Sequence, residues 1–324
     1  MSHLEEIIYK QTKLFDIMID VKTLSTYVDE QRLPLIRKAV LGAKSAELFN
    51  LQTGVKSQAA LNILTTDITF GDGGSCGWKE AGKSNLTQRT ITVGHVKVNM
   101  SFCDRTLLDY WAGYEVKVAA GRETLPFEES FVNDVIAKVN AEVEKAIWQG
   151  DATNGVGNLG IFDGLLTILA DEQDVITLPA VEDQNIVAAV YEAYANIPLE
   201  VLHSAVIYMG EDTFRDYVGY LNSENLYHYD PKVDEGMTLI MPGTSTRIYG
   251  VPGLNGTGKI VAGAKENFFY GVDMEGDQEV YDLWYSKDNQ EFRLAIKFNA
   301  GVQVAFPDQV VVKSLTDDGG SDSD

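Results

Sequence analysis

Residues 124–150 read TLPFEESFVNDVIAKVNAEVEKAIWQG, and the fold is interpreted outward from this stretch. Apolar side chains recur in it every four residues, which is the spacing of one face of an α-helix. They are Phe127, Phe131, Val135, Val139, Val143 and Ile147, with Val132 and Ile136 beside them. Thr124 is suited to cap the start of the helix, and Gly150 is suited to end it. The pattern predicts one helix over residues 125–149, about 37 Å long.

A β-hairpin is predicted upstream of this helix. Ile63–Phe70 is apolar and β-prone, Gly71–Asn85 is rich in glycine, and Thr90–Phe102 alternates apolar with polar residues. The alternation changes phase at Gly94-His95, which indicates a β-bulge in the returning strand. A two-stranded hairpin of this length needs another surface for support, so its tip is expected to contact a partner. The alternative is an ordinary surface loop.

The chain downstream of the helix predicts a mixed region followed by strands. Helices are predicted over 184–196 and 211–221, and strands over 205–209, 246–251, 259–264, 280–285, 292–298, 302–306 and 310–312. Helices and strands are therefore both abundant, which places the chain in the α+β class. Residues 316–324 hold four aspartates and no basic residue, and they are expected to be disordered.

Composition and charge exclude several classes of protein. Of the 324 residues, 45% are hydrophobic, which is too many for a wholly disordered chain. The net charge of −22 argues against a general nucleic-acid binder, because phosphate contacts need Lys and Arg. Residues 1–125 hold 15 basic and 14 acidic groups, whereas residues 126–324 hold 11 and 34. The nearly neutral front of the chain could therefore lie against an acidic body, including that of another copy.

Two segments match nucleotide-binding patterns without their structural context. Gly155–Gly160 fits GxGxxG but follows a long helix, and Gly253–Lys259 fits GxxxxGK but is followed by Ile260 and a predicted strand. Both are interpreted as turns. The two cysteines, Cys76 and Cys103, form neither a disulfide framework nor a zinc cluster. No residue is assigned to catalysis, to a cofactor or to a metal, and the sequence does not require an enzyme.

Three short phrases resemble those of a known family. They are Gly160-Ile161-Phe162-Asp163-Gly164-Leu165, then Val206-Ile207-Tyr208-Met209 with Thr213-Phe214, then Tyr249-Gly250-Val251-Pro252 with Lys259-Ile260-Val261-Ala262-Gly263. Their order, and the order of arm, hairpin, long helix, mixed region and final strands, resemble the major capsid proteins of tailed bacteriophages. Those proteins have the HK97 fold. The resemblance covers about residues 60–315.

The resemblance implies an α+β, HK97-like chain with named parts. They are an N-terminal arm (1–62), an E-loop hairpin (63–103), the first part of a P-domain with its spine helix (104–180), an A-domain (181–275), closing P-domain strands (276–315) and a disordered acidic tail (316–324). Some members carry a cleaved N-terminal scaffolding segment, and the arm here looks too short to hold one. Scaffolding is then expected from a separate protein, or is not needed.

The function implied is self-assembly into hexamers and pentamers of an icosahedral head around double-stranded DNA, which is enclosed without sequence-specific binding. The implied partners are other copies of the chain and scaffolding, portal or decoration proteins. The implied location is the virion capsid, after assembly in the cytoplasm of a host bacterium and without a membrane. Seven residues are expected to contact other subunits because of the segments in which they lie: Phe70, Trp78, Lys79, Arg89, Arg122, Glu128 and Asp134.

Two alternatives stay open from the sequence. An encapsulin-type shell resembles the same fold, and its cargo is a docked enzyme instead of a genome. A nucleotide-binding enzyme built around Gly253–Lys259 belongs to another class of function and is tested by nucleotide titration with Lys259→Ala as the control.

Overall fold

The structure is a computed structural model that describes residues 31–70, 82–103, 127–180, 185–224, 237–273, 280–289 and 291–315. The α-helices of these residues are α1 Arg32–Leu41, α2 Lys44–Leu48, α3 Phe127–Gln149, α4 Leu165–Asp171, α5 Ile186–Ala195 and α6 Glu211–Ser223. Short 3-10 helices are Gly157–Leu159, Leu202–Ser204, Pro252–Leu254, Lys265–Asn267 and Pro307–Gln309. The strands are β1 Asn50–Gln52, β2 Gln58–Ile68, β3 Gly82–Thr92, β4 Gly94–Cys103, β5 Ile176–Leu178, β6 Ala205–Gly210, β7 Thr238–Ile240, β8 Arg247–Val251, β9 Lys259–Ala264, β10 Phe268–Val272, β11 Val280–Ser286, β12 Glu291–Val304 and β13 Val311–Ser314.

The helix predicted from the four-residue repeat of apolar side chains is confirmed as α3. Its apolar stripe is buried from Phe131 to Ile147, and Asp134, Lys138 and Glu142 are exposed on another face. The helix ends as predicted at Gly150, whose N–H donates to the carbonyl of Ala146 at 2.9 Å. The predicted cap Thr124 lies outside the described residues.

A six-stranded sheet has the order β5-β13-β9-β6-β8-β7. Strand β6 is buried at every position, because both of its faces are covered. Ile207 and Met209 lie in the core shared with α5 and α6, and Tyr208 packs against Phe49 and Trp148. Helices α5 and α6 bury an apolar face against this sheet, and the members of this core include Ala189, Val190, Ala193, Phe214, Tyr217, Leu221, Ile207, Met209 and Ile260. The strand–helix alternation predicted for this region is confirmed, with bounds that differ by at most two residues.

A five-stranded sheet has the order β1-β10-β12-β11, with β4 also paired to β12. The predicted strands 292–298 and 302–306 are wrong as separate elements, because Glu291–Val304 forms one continuous strand. Gly301 lies inside this strand, where its lack of a side chain allows a close approach, since a Cβ there would collide with the carbonyl oxygen of Thr92.

Strands β2 and β3 form a two-stranded antiparallel ribbon of eleven cross-strand pairs, from Gln58↔Thr92 to Ile68↔Gly82. The predicted returning strand Thr90–Phe102 is wrong as one element, because it divides at Val93 and its second half, β4, joins the five-stranded sheet. The change of phase at Gly94 therefore marks the step between two sheets and not a bulge. We name β2 and β3 the ribbon.

The described residues belong to two compact units. One takes its residues from the segments up to Gly42, His95–Asn140 and Asp277–Phe298. Its buried side chains include Leu35, Ala39 and Val40 of α1, Phe131 and Val135 of α3, and Tyr281 and Leu283 of β11. The other unit comprises Ala43–Gly94, Ala141–Gly276 and the segment from Asn299 onward, and it contains the six-stranded sheet and the ribbon. The domain boundaries of the arm, E-loop, P-domain, A-domain and tail stay predictions.

Candidate assembly site

The ribbon is the longest two-stranded feature of the described chain. Eleven residues per strand at about 3.3 Å each give it a length of about 36 Å. Within the described residues it pairs with no third strand, so both of its edges carry N–H and C=O groups that a further strand or surface could bind. An isolated hairpin is marginally stable in water, so the ribbon depends on contacts made by its faces.

One face of the ribbon is buried at its base. Leu61 and Ile91 form an apolar cluster with Val55 and Val93, and Phe269 of β10 packs against it. Ile63, two residues further along β2 on the same face, is also buried, at 7% exposure. The inner half of the ribbon is therefore held by apolar burial, which contributes about 1.5–3 kcal/mol for each large side chain.

An ion pair holds the same half of the ribbon. The Arg89 guanidinium on β3 contacts the carboxylate of Glu172, which follows α4. The two side chains keep 23% and 30% of their surface exposed to solvent. The ion pair therefore contributes roughly 0–1 kcal/mol to the stability of the fold. Arg89 was predicted to contact a neighbouring subunit, and it has this partner within its own chain. A contact with another subunit stays a prediction for it.

The outer part of the ribbon exposes apolar side chains. Phe70, two residues beyond the end of β2, is 96% exposed, and Leu86 on β3 is 63% exposed. Nearer the base, Asn62 and Gln88 are joined across the ribbon by a side-chain hydrogen bond of 2.8 Å and are also exposed. Phe70 and Leu86 are therefore the exposed apolar side chains that the described part of the ribbon offers.

Of the remaining residues predicted to contact other subunits, the structure describes only some. Trp78, Lys79 and Arg122 lie outside the described residues, and Glu128 lies in α3 with its side chain outside the description. Asp134 is exposed on α3. Phe70 and Arg89 thus share the ribbon, Asp134 belongs to the other unit, and the role of all seven in subunit contacts stays a prediction.

A cleft of about 180 Å³ lies at the base of the ribbon, and no sequence pattern predicts it. Its lining mixes polar and apolar side chains from three parts of one unit: Thr90, Thr92, Val93 and Gly94; Ala152, Ile161, Phe162, Asp163 and Ile168; Val302 and Gln303. Gln303 Nε2 donates to the Thr90 carbonyl at 2.9 Å, which joins the strand β12 to the ribbon beside the cleft. We name this feature the base cleft.

The loop that forms one wall of the base cleft is held rigidly. The Asp151 carboxylate accepts the N–H groups of Asn154 at 2.7 Å and Thr153 at 2.9 Å. The pKa of Asp151 is lowered by the Asn154 N–H first, then by the Asn154 amide and the Thr153 N–H. Asp163 Oδ1 accepts the N–H of Ala152 at 2.8 Å. Gly155–Gly160, which matches GxGxxG, lies in this loop and contains only a 3-10 turn, so it remains a turn as interpreted.

A buried polar cluster joins α2 to α3. Ser45 donates its N–H to Glu144 Oε2 at 2.8 Å and its hydroxyl to Oε1 at 2.6 Å. Trp148 Nε1 donates to Ser45 Oγ at 2.7 Å. Burial raises the pKa of Glu144, and the bonds from Ser45 and the Gly253 N–H oppose the rise. We name Ser45, Glu144 and Trp148 the anchor cluster.

Aromatic rings surround the anchor cluster. Phe49 lies 5.8 Å from Trp148, 5.7 Å from Tyr208 and 5.5 Å from Phe268, measured between ring centroids. The segment from α2 to β1 is therefore fixed by polar bonds at Ser45 and by ring packing at Phe49. Sequence reasoning missed both, because each partner is about a hundred residues or more distant along the chain.

The second nucleotide-loop match has the wrong geometry for phosphate binding. The Gly256 N–H donates to Asp212 Oδ2 at 2.7 Å, so a carboxylate already occupies the place where a phosphate would bind. Asp212 is partly desolvated, but its backbone bonds lower its pKa and keep it ionised. Lys259 Nζ donates to Ser314 Oγ at 3.0 Å, and a strand follows it instead of a helix. The turn interpretation is the one that this geometry supports.

Searches for other kinds of site give negative results for the described residues. They contain no group of three or more His, Cys, Asp or Glu side chains arranged to hold a metal ion. In the same part of the chain, no helix combines the length and the apolar character needed to cross a membrane.

Comparison with known proteins was made at the level of sequence and of structure. No family model and no curated protein sequence matches the chain. Solved structures do match it. A chain of the satellite phage P4 procapsid that includes the size determination (Sid) protein is 12% identical, has a TM-score of 0.61, and is aligned over 97% of this chain and 98% of that one.

Two further solved structures agree. A chain from the capsid of an empty GTA particle is 14% identical, with a TM-score of 0.56 over 86% of this chain and 90% of that one. A chain of Gordonia phage Cozz is 14% identical, with a TM-score of 0.54 over 83% and 85%. At these identities the likeness concerns the fold, and it covers nearly the whole chain. The chain therefore has the α+β, HK97-like fold of phage capsid proteins.

Proposed function

We propose that this chain is a major capsid protein that assembles with copies of itself into hexamers and pentamers of an icosahedral phage head. The role is structural and not enzymatic. The observation that carries the proposal is the ribbon, which extends about 36 Å and exposes Phe70 at its outer end, on a fold shared with capsid chains. A subunit of a closed shell needs unlike contacts on several sides, and such a ribbon supplies reach to a neighbour.

The acidic charge supports enclosure of DNA without tight binding. A net charge of −22 repels phosphate, so packaged duplex DNA would be contained and released instead of held. The partners in this proposal are other copies of the chain, with scaffolding, portal or decoration proteins. The location is the virion, after assembly in the cytoplasm of a bacterial host.

Electron microscopy of the purified chain, with sedimentation velocity on the same sample, tests the proposal. We expect closed shells or rings of five and six subunits. A monomer that persists at high concentration, with crowding agents and with a co-expressed scaffold from the same genome, would contradict it. Gel-shift titration with duplex DNA at physiological salt should give no complex of the unassembled subunit.

The encapsulin-type alternative predicts the same particles with different contents. Nuclease-resistant DNA inside particles isolated from cells supports a phage head, and a docked enzyme in place of DNA supports a cellular compartment. The nucleotide-binding alternative is disfavoured by the Asp212–Gly256 bond. It predicts saturable nucleotide binding that is lost in Lys259→Ala, and we expect no binding by either protein.

A further inference from the structure

We propose that the buried carboxylate of Asp273 binds a calcium ion at the base of the ribbon. Asp273 directly follows β10 and has no exposed surface, and neither of its carboxylate oxygens has a hydrogen-bond donor among the described residues. The site does not depend on the assembly proposed above, because the residues that form it belong to one compact unit of a single chain.

The carboxylate of Asp273 needs a positively charged partner. Burial of an ionised carboxylate is strongly unfavourable unless the charge is paired, hydrogen-bonded or coordinated to a metal. Glu144, the other buried acid of the described residues, meets this requirement with the N–H and hydroxyl of Ser45 and the N–H of Gly253. Asp273 has no such donors in the described part of the chain, and no ion pair found there includes it.

The pairing of β10 with β12 places further oxygen atoms beside this carboxylate. Asp273 follows Val272, which pairs with Ala300. Asn299 is therefore beside Asp273 on β12, and it is 3% exposed. The Asn299 amide nitrogen donates to the carbonyl of Lys56 at 3.3 Å, which fixes the orientation of the amide. Carboxylate, side-chain amide and main-chain carbonyl groups thus meet where residues 54–57 pass the end of β10.

The same face of β10 and β12 carries the base of the ribbon. Side chains alternate along a strand, so Asp273 lies on the face of Gly271, and Asn299 lies on the face of Gly301. A Cβ added to either glycine would meet residues 91–93, where the ribbon ends. An ion held by Asp273 therefore lies between the five-stranded sheet and the ribbon, and it would join the two.

The composition of the site favours Ca²⁺ over Mg²⁺. Ca²⁺ binds carboxylate, amide and main-chain carbonyl oxygens in a flexible geometry, whereas Mg²⁺ demands an octahedron and releases its water reluctantly. Asp273 and Asn299 have almost no exposed surface, so the bound ion must lose most of its water. With one carboxylate the site is weak, with a Kd on the order of 10⁻⁴–10⁻³ M. It also differs from clusters of three His, Cys, Asp or Glu side chains, which the described residues lack.

Chemical unfolding of the unassembled subunit tests the site. The subunit is freed of divalent ions with EGTA and then titrated with CaCl₂, and MgCl₂ and NaCl at equal ionic strength are the controls for charge screening. At a Ca²⁺ concentration about ten times the Kd, the unfolding equilibrium constant should fall about tenfold. Mg²⁺ and Na⁺ should change it much less.

A pair of variants separates this site from diffuse binding of Ca²⁺ to an acidic surface. Asp273→Asn removes the charge and keeps the shape of the side chain, so it should abolish the response to calcium. Without calcium it should be at least as stable as the parent, because it removes an unpaired buried charge. Asp308→Asn is the matched control, because Asp308 is exposed in the same unit, and it should keep the full response.

Hydrogen exchange of the parent chain gives a local measurement that needs no variant. Ca²⁺ should slow at least tenfold the exchange of the Val55 N–H, which donates to the Val272 carbonyl at 3.1 Å, and of the Val93 N–H, which donates to the Ser57 carbonyl at 2.9 Å. Unchanged exchange at both amides, an equal response to Mg²⁺, or a response that Asp273→Asn keeps would overturn the inference. Each of these results leaves the capsid role intact, since that role is tested by particle formation.

Discussion

Trp148 Nε1 donates a hydrogen bond of 2.7 Å to the hydroxyl of Ser45, a residue 103 positions earlier in the chain. The same hydroxyl donates to Glu144 at 2.6 Å. The Ser45 side chain therefore supplies hydrogen-bond partners to two buried side chains of α3. All three residues are buried to 2% exposure or less. The bond therefore attaches the segment that precedes β1 to the long helix at a point closed to water.

Removal of the Ser45 hydroxyl should destabilise the subunit strongly. In Ser45→Ala, the Trp148 N–H and one oxygen of Glu144 stay buried without this partner, which costs about 1–3 kcal/mol for each group left unsatisfied. Urea unfolding of the unassembled subunit measures the loss. Ser223→Ala is the control, because Ser223 is exposed, and its effect should stay within about 0.5 kcal/mol. Equal stability of the two variants would contradict the role of the anchor cluster.

The stability of the subunit should carry a pH dependence that originates at Glu144. Burial raises the pKa of Glu144 above its ordinary value of 4.5, so the folded chain binds this proton more tightly than the unfolded chain does. The resulting stabilisation is complete below pH 4.5 and is lost as the pH rises through the raised pKa. Glu144→Gln should abolish this component. Parallel slopes of unfolding free energy against pH for the two proteins would be the contrary result.

The buried lysine of the six-stranded sheet, Lys313, predicts that Glu192→Ala and Lys313→Met lower the stability of the subunit by different amounts. Lys313 has no exposed side-chain surface; its Nζ lies 2.8 Å from Glu192 Oε2 and 2.7 Å from the Pro179 carbonyl. Glu192 keeps 35% of its side-chain surface exposed, so water can replace part of the lost contact, and Glu192→Ala should cost about 1–3 kcal/mol. Lys313→Met replaces the buried ammonium with an apolar chain and should cost less. Thermal unfolding ranks the two, and the reverse order would contradict burial of the charge.

Two glycines should respond in opposite directions to alanine. Gly301→Ala places a Cβ against the Thr92 carbonyl and should destabilise the chain by more than about 1 kcal/mol. Gly219 lies in α6 with open space around its Cβ position, so Gly219→Ala should stabilise by about 0.5–1 kcal/mol. Chemical denaturation compares them, and a stable Gly301→Ala would argue against the close approach of β12 to the ribbon.

Assembly should increase with ionic strength. Subunits with a net charge of −22 repel one another, and raising salt from about 0.1 M to about 1 M shortens the Debye length from about 10 Å to about 3 Å. We expect a larger fraction of rings or shells by sedimentation velocity at the higher salt. Sucrose at matched density and viscosity is the control, and a fall in assembly with salt would indicate that attraction between opposite charges dominates instead.

The sequence predicted elements whose patterns are local. Helix α3 was found because its apolar residues repeat every four positions, and Gly150 ended it as expected. The order of the elements was enough to identify the capsid fold. Strand pairing was predicted less well. The length of the single strand Glu291–Val304, and the pairing of β4 with β12 instead of with the ribbon, depend on contacts between segments that are far apart in sequence.

The candidate site was less accessible to prediction. Phe70 was selected because it precedes the glycine-rich tip, and its exposure agrees with a contact role that remains to be tested. The base cleft and the anchor cluster were missed. Glu144 is one of 48 acidic residues, and only the fold places it beside Ser45, 99 positions away.

The position of β13 has a consequence for the order of synthesis. This strand lies between β5 and β9, although it is made about fifty residues after β9 and well over a hundred after β5. A nascent chain that stops short of Val311 therefore leaves β5 without its pairing partner and exposes the edge of β9. Interrupted translation products would therefore lack a complete six-stranded sheet, so this part of the fold can form only when synthesis is nearly finished.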